Sequence, residues 1–324
     1  MKAVIAAPVF PPEVGNVSVY VKRFAKELCK ASFGDVVVLA YANTFEEIDG
    51  VKIHCIKKSD PLLIRLFLYT VKLFRLSRGA DVIYVYNTFA SGLPAVVVGG
   101  LRGIPVILRF SEDEVSQRAS APRKNNFFTI RLLSFLQKRI LKRARAISAD
   151  GDFLAEVLFL SYEVPKEKIR IDRNPAPKPE TLPFPPEFFP HRILFASTAE
   201  NEARKEELEE LENSLRKKIP DAGIFPLDEA NISRAEKWHL LRGAGVILFF
   251  SCDVGYSLYA CALSSGIPAV IFSSKEQAEK TLTDILENPG TRREAIANGN
   301  SILKEEYSWE AYVRNFTDFI LHLS

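Results

Sequence analysis

Three observations predict an α/β protein built on parallel sheets. Short apolar runs rich in β-branched residues carry almost no charge, as strands buried on both faces do. Between them lie segments whose apolar residues recur at helical spacing. Midway, residues 168–185 (KIRIDRNPAPKPETLPFP) are rich in proline and poor in large apolar side chains, which reads as a linker between two domains. The chain has 324 residues, 47% hydrophobic and 26% charged, enough for two ordinary domains and unlike a disordered composition.

In chain order, residues 2–7 form the first strand, and Pro8, Pro11 and Pro12 force the chain out of the sheet. Gly15 can take positive φ, and from Val17 through Tyr20, Val21, Phe24 and Leu28 the spacing is helical. A loop leading into a helix N-terminus presents free N–H groups to an anionic or hydroxyl-bearing ligand, although an ordinary strand-to-helix turn has the same composition. Residues 35–40 read as a second buried strand. Residues 51–56 alternate and belong nearer a sheet edge, with His54 structural. Residues 61–78 (PLLIRLFLYTVKLFRLSR) read as a helix whose four charges are all positive. Its apolar residues are expected to pack in the core and leave a solvated basic edge; the competing reading is a helix lying on an anionic membrane surface. Residues 81–86 and 105–110 are strands flanking a helix at 95–101. Residues 125–149 form a second basic helical region, its aromatic and aliphatic residues expected to pack and its charge suited to lipid contact. In the second domain, strands are expected at 192–197, 223–227 and 246–250, and helices at 200–218 and 233–241.

Charge divides unevenly. Residues 1–180 hold 28 Lys and Arg against 18 Asp and Glu, a surplus of +10, and the remainder carries −7. The basic half suits an anionic lipid or a phosphorylated substrate. Nucleic acid is not expected, because no RNA-binding motif accompanies the charge. The four cysteines (Cys29, Cys55, Cys252, Cys261) form no close pair, which speaks against a disulfide framework or zinc site and fits a reducing compartment. The N-terminal residues lack the basic and long apolar segments of a signal peptide, and no apolar run reaches the ~20 residues that span a bilayer. A cytoplasmic protein, peripheral on the inner face of the membrane, is the expected location.

The segment PVFPPEVGNVSVYVKRFAKEL resembles the opening of family 4 glycosyltransferases, with Asn16 in place of the family's second glycine. The stretch ADVIYVYN…GLPAVVVGGLRGIPVILR is similar to the family's first domain, and AGVILFFSCDVGYSLYACALSSGIPAVIF to its donor segment. The closing stretch EEYSWEAYVRNFTDFIL is similar to the family's last helix, which crosses back onto the first domain. The resemblance implies a GT-B-like architecture: two Rossmann-like doubly wound domains facing a cleft, the second reduced. The domains are then expected at 1–180 and 181–307, with 308–324 as the closing helix.

The resemblance also implies transfer of a sugar from a nucleotide-sugar to an acceptor hydroxyl, a lipid-linked glycan being one acceptor class, with no metal and no separate cofactor. Gly15 and Asn16 would shape the acceptor cleft. Asp113 stands where some members carry a carboxylate after the last strand, and is the candidate catalytic residue; its rival role is to cap a helix or start a polar loop. The donor site would comprise Asp253, Gly255, Tyr256, Ser257 and Cys261, the last two standing where a glycine and a second glutamate are expected. The unit that supplies an arginine and a lysine to the donor phosphates has no counterpart, and Arg192, Arg204 and Lys205 are the available substitutes. A catalytically degenerate binding protein is therefore the alternative reading.

Overall fold

The charge-poor apolar runs become the strands. The computed structural model describes residues 1–13, 16–31, 33–116, 127–176, 187–196, 205–227, 232, 234–250, 256–272 and 274–323. Among these, β1 (Lys2–Ala7), β2 (Asp35–Tyr41), β3 (Val51–Ile56), β4 (Val82–Tyr86), β5 (Val106–Phe110), β6 (Ala146–Ala149) and β7 (Ile169–Ile171) pair in parallel in the order β3-β2-β1-β4-β5-β6-β7. Lys2 stands opposite Asp35 on one side, and Ala3 opposite Val82 on the other. Helices α1 (Asn16–Lys30), α2 (Leu62–Leu76), α3 (Leu93–Arg102), α4 (Phe127–Arg143) and α5 (Asp152–Leu160) supply the connections. Alternate residues of each strand face opposite layers. Val4, Ala6, Ile83 and Val85 join the core beneath Tyr69 and Leu73 of α2, Ala95 and Val98 of α3, and Ile140 and Leu141 of α4.

A second sheet holds β8 (Phe189–Ala196), β9 (Gly223–Leu227), β10 (Ala244–Phe250) and β11 (Ala269–Phe272), parallel and in the order β11-β10-β8-β9. Helices α6 (Lys205–Lys218), α7 (Arg234–Gly243), α8 (Tyr256–Ser264), α9 (Lys275–Glu287) and α10 (Pro289–Glu306) accompany it. The β10 register slips between Ala244 and Val246. Gly245 is required there, because a Cβ would lie 1.8 Å from the Pro190 carbonyl oxygen. Residues 1–173 and 312–324 form one compact unit, and residues 174–311 the other.

Three expectations change. Residues 146–149 are not a continuation of the basic helix but strand β6, all four buried. Residues 169–171 are not linker but β7, paired with β6. The third concerns α2, in which only Tyr69 and Leu73 are buried. Most of its other large apolar side chains face solvent rather than the core.

The final helix, α11 (Trp309–Leu323), seals the first unit. The Phe316 ring lies 5.1 Å from Phe24 and 5.2 Å from Tyr84, nearly perpendicular to both. The Tyr20 hydroxyl donates to Tyr312 at 2.7 Å, and Tyr84 stands 3.2 Å from each. Burial raises the pKa of Tyr20 and Tyr84 well above the usual tyrosine value, so these hydroxyls stay protonated at neutral pH. On the far side Arg170 donates to the Asn315 carbonyl at 2.9 Å. Phe316→Ala should lower the stability of this unit in urea by about 3–5 kcal/mol, as a lost buried aromatic does. Tyr312→Phe should cost only about 1 kcal/mol, because Tyr20 and Tyr84 keep each other as partners. Equal small losses would contradict this packing.

Candidate active site

In the first sheet the strand order reverses between β1 and β4, and ligands of open α/β sheets bind beyond the carboxyl ends of such neighbours. Pro8 follows β1 and Asn87 follows β4. Asn87 has φ 100°, uncommon for any residue but glycine and tolerated best by asparagine and aspartate. Its Oδ1 accepts from the N–H groups of Phe89 at 3.1 Å and Ala90 at 2.8 Å, which holds the wide helical turn Thr88–Gly92. Gly92 is needed in that turn, since a Cβ would lie 2.9 Å from the Asn87 carbonyl oxygen. Glu114 accepts from the Thr88 N–H at 3.0 Å and ties the β5 exit to the same turn. Pro8, Tyr86, Asn87, Arg109, Ser111 and Glu114 line a small cavity of about 20 Å³, room for about one water-sized sphere.

Arg109 sits at the base of this cavity, 1% exposed. A charge in a strand interior is costly unless paired. Here one guanidinium nitrogen donates to Ser148 Oγ at 2.7 Å and to the Asp172 carbonyl at 2.8 Å, and the other meets Asp150 at 3.0 Å. Burial works against its charge, yet its pKa is raised, with the Asp150 carboxylate the ionised partner beside it. Arg109 thus binds β5 to β6 and to the exit of β7. The residue itself was not singled out from the sequence. The available signal was one charge near the end of an otherwise apolar strand, VILRF.

Asp113 lies just past β5. Its Oδ1 accepts from Tyr162 at 2.6 Å, Gln137 at 3.1 Å and the N–H groups of Val115 at 3.2 Å and Ser116 at 3.4 Å; its Oδ2 accepts from Ser116 Oγ at 2.6 Å. Partial burial raises its pKa, but the hydrogen bonds from Ser116, Tyr162 and Gln137 win and lower it. The carboxylate is therefore ionised and tethers the 113–116 turn to α4 and to the loop after α5. Gly15 lies outside the described residues, and Asn16 is the first residue of α1.

In the second unit the order reverses between β8 and β10. Asp253, Gly255 and Arg204 lie outside the described residues. Tyr256 and Ser257 open α8, and Lys205 opens α6. Cys261 is 2% exposed, packed with Leu194, Trp238, Leu241 and Leu258. Arg192 stacks 3.8 Å over the Phe189 ring, four residues before the carboxyl end of β8. Among the described residues no group of three or more His, Cys, Asp or Glu is arranged to hold a metal ion.

Two variants test these environments. A depressed carboxylate pKa adds stability that is present above the unfolded value and lost as pH falls through the folded one. Asp113→Asn should therefore reduce stability at neutral pH and flatten the acid limb of the denaturation profile below about pH 4; an unchanged limb would contradict the network. Cys261→Glu places a carboxylate in an apolar cluster and should lower the urea midpoint of the second unit, whereas an unchanged midpoint would show that this side chain reaches solvent.

Residues 15–175 match the family described as glycosyl transferase 4-like domain. No curated protein matches the chain in sequence. Similar solved structures include sucrose-phosphate synthase from Thermosynechococcus elongatus, at 13% identity and TM-score 0.54, covering 100% of this chain and 99% of that one. The Anabaena protein HepE, solved in complex with UDP-glucose, is 11% identical with TM-score 0.57, covering 99% of this chain and 100% of its own. WaaG, a glycosyltransferase of lipopolysaccharide biosynthesis, is 12% identical with TM-score 0.51, covering 99% of each chain. At such identities the likeness is one of fold. The match identifies residues 15–175 as a glycosyl transferase 4-like domain, and the structural likeness gives the chain the GT-B fold of two Rossmann-like α/β units.

Proposed function

We propose that the protein transfers a sugar from a nucleotide-sugar to an acceptor hydroxyl carried on a lipid-linked glycan. The observation that carries this reading is the family match over residues 15–175, which contains the switch-point residues from α1 to Asp113. In this reading the acceptor approaches the first unit beyond β1 and β4, bounded by Gly15 and Asn16. Asn87 and Glu114 hold the turn that forms its wall. Asp113 keeps the adjoining turn in place and presents negative charge near the acceptor. The donor diphosphate meets the N-terminus of α8, where Gly255, Tyr256 and Ser257 offer backbone N–H groups, and Asp253 receives sugar or ribose hydroxyls. HepE, solved with UDP-glucose, supports a uridine nucleotide as the first donor to test. Seating at an anionic membrane surface through residues 61–78 and 123–145 belongs to the same reading, because a lipid-linked acceptor resides there.

One observation favours a second reading, a binding protein without turnover. Cys261, at the position of the family's second donor glutamate, is buried among apolar side chains. A neutral thiol there is a poor substitute for a carboxylate acceptor. Calorimetric titration with a panel of UDP- and GDP-sugars tests the main reading: at least one should bind the folded protein. Binding to none of them would overturn it. Binding with no donor consumed, whatever acceptor is supplied, would establish the second reading.

A further inference from the structure

A second concave surface lies at the other end of the first sheet, where β1, β4 and β5 begin. It is a groove of about 1020 Å³, far larger than the switch-point cavity, and every residue that lines it belongs to the first unit. Its lining is largely aliphatic: Val97 and Leu101 of α3, Ile104 and Pro105 ahead of β5, and Ile320 of α11. α3 sits close on the start of β5 because residue 99 is glycine. A Cβ there would lie 2.4 Å from Val106 Cγ2 and 2.9 Å from the Ile104 carbonyl oxygen. One residue further on, Gly100 is exposed, and a Cβ would meet no heavy atom within 4 Å. The helix thus presents no side chain where the groove opens.

The polar groups are few. Arg143 ends α4 and Arg145 follows it; both line the groove and are exposed. Neither guanidinium has an ion pair or hydrogen bond among the described residues. Lys168 is committed instead, donating to the Lys142 carbonyl at 2.9 Å and the Ala144 carbonyl at 3.2 Å. The one carboxylate in the lining, Asp81, accepts from the Lys2 N–H at 2.6 Å. A mostly aliphatic concavity with a few fixed polar groups is the ordinary form of a small-molecule site.

We propose that this groove binds a free amphipathic anion, its aliphatic chain laid over Val97, Leu101 and Ile104 and its phosphate or carboxylate head on Arg143 and Arg145. The lining selects the ligand class. No aromatic side chain is present in it to stack a base or an aryl ring. β1, β4 and β5 are interior strands, so an extended peptide finds no open edge to pair with. A second copy of the chain joined through the same face would set the arginines against themselves. An aliphatic anion covers the apolar lining and pairs both guanidiniums, whose forked donors match oxyanions. The groove lies at the amino ends of the strands, opposite the switch point, so this ligand is neither sugar donor nor acceptor. The proposal goes beyond the sugar-transfer reading and stands or falls without it.

Calorimetric titration of the full chain with decyl phosphate, kept monomeric below its micelle concentration, tests it. Binding should saturate at a single molecule per chain. Inorganic phosphate, decanol and decyltrimethylammonium should each bind about tenfold more weakly or not at all, because each lacks the chain or the anionic head. Decanoate shows which oxyanion the arginines prefer, and saturable binding of either anion supports the site. Gly100→Leu fills open space on a helix that favours leucine over glycine. It should melt no lower than the parent protein and yet lower affinity about tenfold or more. Arg145→Gln should lower affinity about fivefold. No saturable binding, or equal binding of the cationic amphiphile, would overturn the proposal. Binding undiminished in Gly100→Leu would overturn it as well, and would assign the amphiphile to the exposed apolar residues of α2. So would binding to phosphatidylglycerol vesicles with none of the monomeric amphiphile, which would assign the arginines to a bilayer surface.

Discussion

A fully buried guanidinium sets the geometry of the first unit. In a parallel sheet covered on both faces, polar chemistry belongs beyond the strand ends, and a charge inside must be matched within the fold. Arg109 is matched by Ser148, Asp150 and the Asp172 carbonyl, which come from the last residues of β6 and from just beyond β6 and β7. The Tyr20, Tyr84 and Tyr312 hydroxyls form a second buried cluster, bonded to one another. That cluster holds α1 at the front of the chain and α11 at its end against the same strand. Arg109 thus couples the edge of the sheet to the lining of the switch-point cavity. Removing it would leave a carboxylate and several acceptors facing an apolar interior.

Above that floor the wall is built from local constraints. Asn87 takes a backbone conformation that few residues accept, and its side chain repays the cost with two hydrogen bonds to the following turn. Glu114 and Asp113 then fasten the β5 exit from both sides. Rigid elements with one conformationally special residue at the strand end are how sites on this kind of sheet are held in place.

Much of this was legible in the residues, and the parts that were not have physical causes. β1, β2, β4 and β5 are runs of apolar residues bounded by charge, proline or glycine, so their burial follows directly. β6 escaped because AISA is only four residues long and directly follows a basic helix. β7 escaped because Ile-Arg-Ile carries a charge and is followed at once by a proline-rich segment. The orientation of α2 could not be read from periodicity. Its large apolar residues occupy nearly the whole circumference, and only the fold decides that Tyr69 and Leu73 face inward. Asp113 was visible as a carboxylate after a strand, but Gln137 and Tyr162, which hold it, lie 24 and 49 positions away. In the second unit, Cys261 was legible as a departure from the donor motif, and its apolar surroundings only from packing.

The two units divide the labour unequally. The first is a seven-stranded sheet, and α2, α3 and α4 over it carry no acidic residue. The second is a four-stranded sheet whose proposed donor positions depart most from the family pattern. Whether chemistry survives those departures is the central question, and a transfer assay answers it most directly. The protein should be incubated with radiolabelled UDP-sugars and a membrane lipid extract. The account predicts that label moves from the nucleotide into the lipid-soluble fraction and that free UDP accumulates in step. Label remaining wholly on the nucleotide, from a folded protein supplied with every donor of the panel, would contradict it.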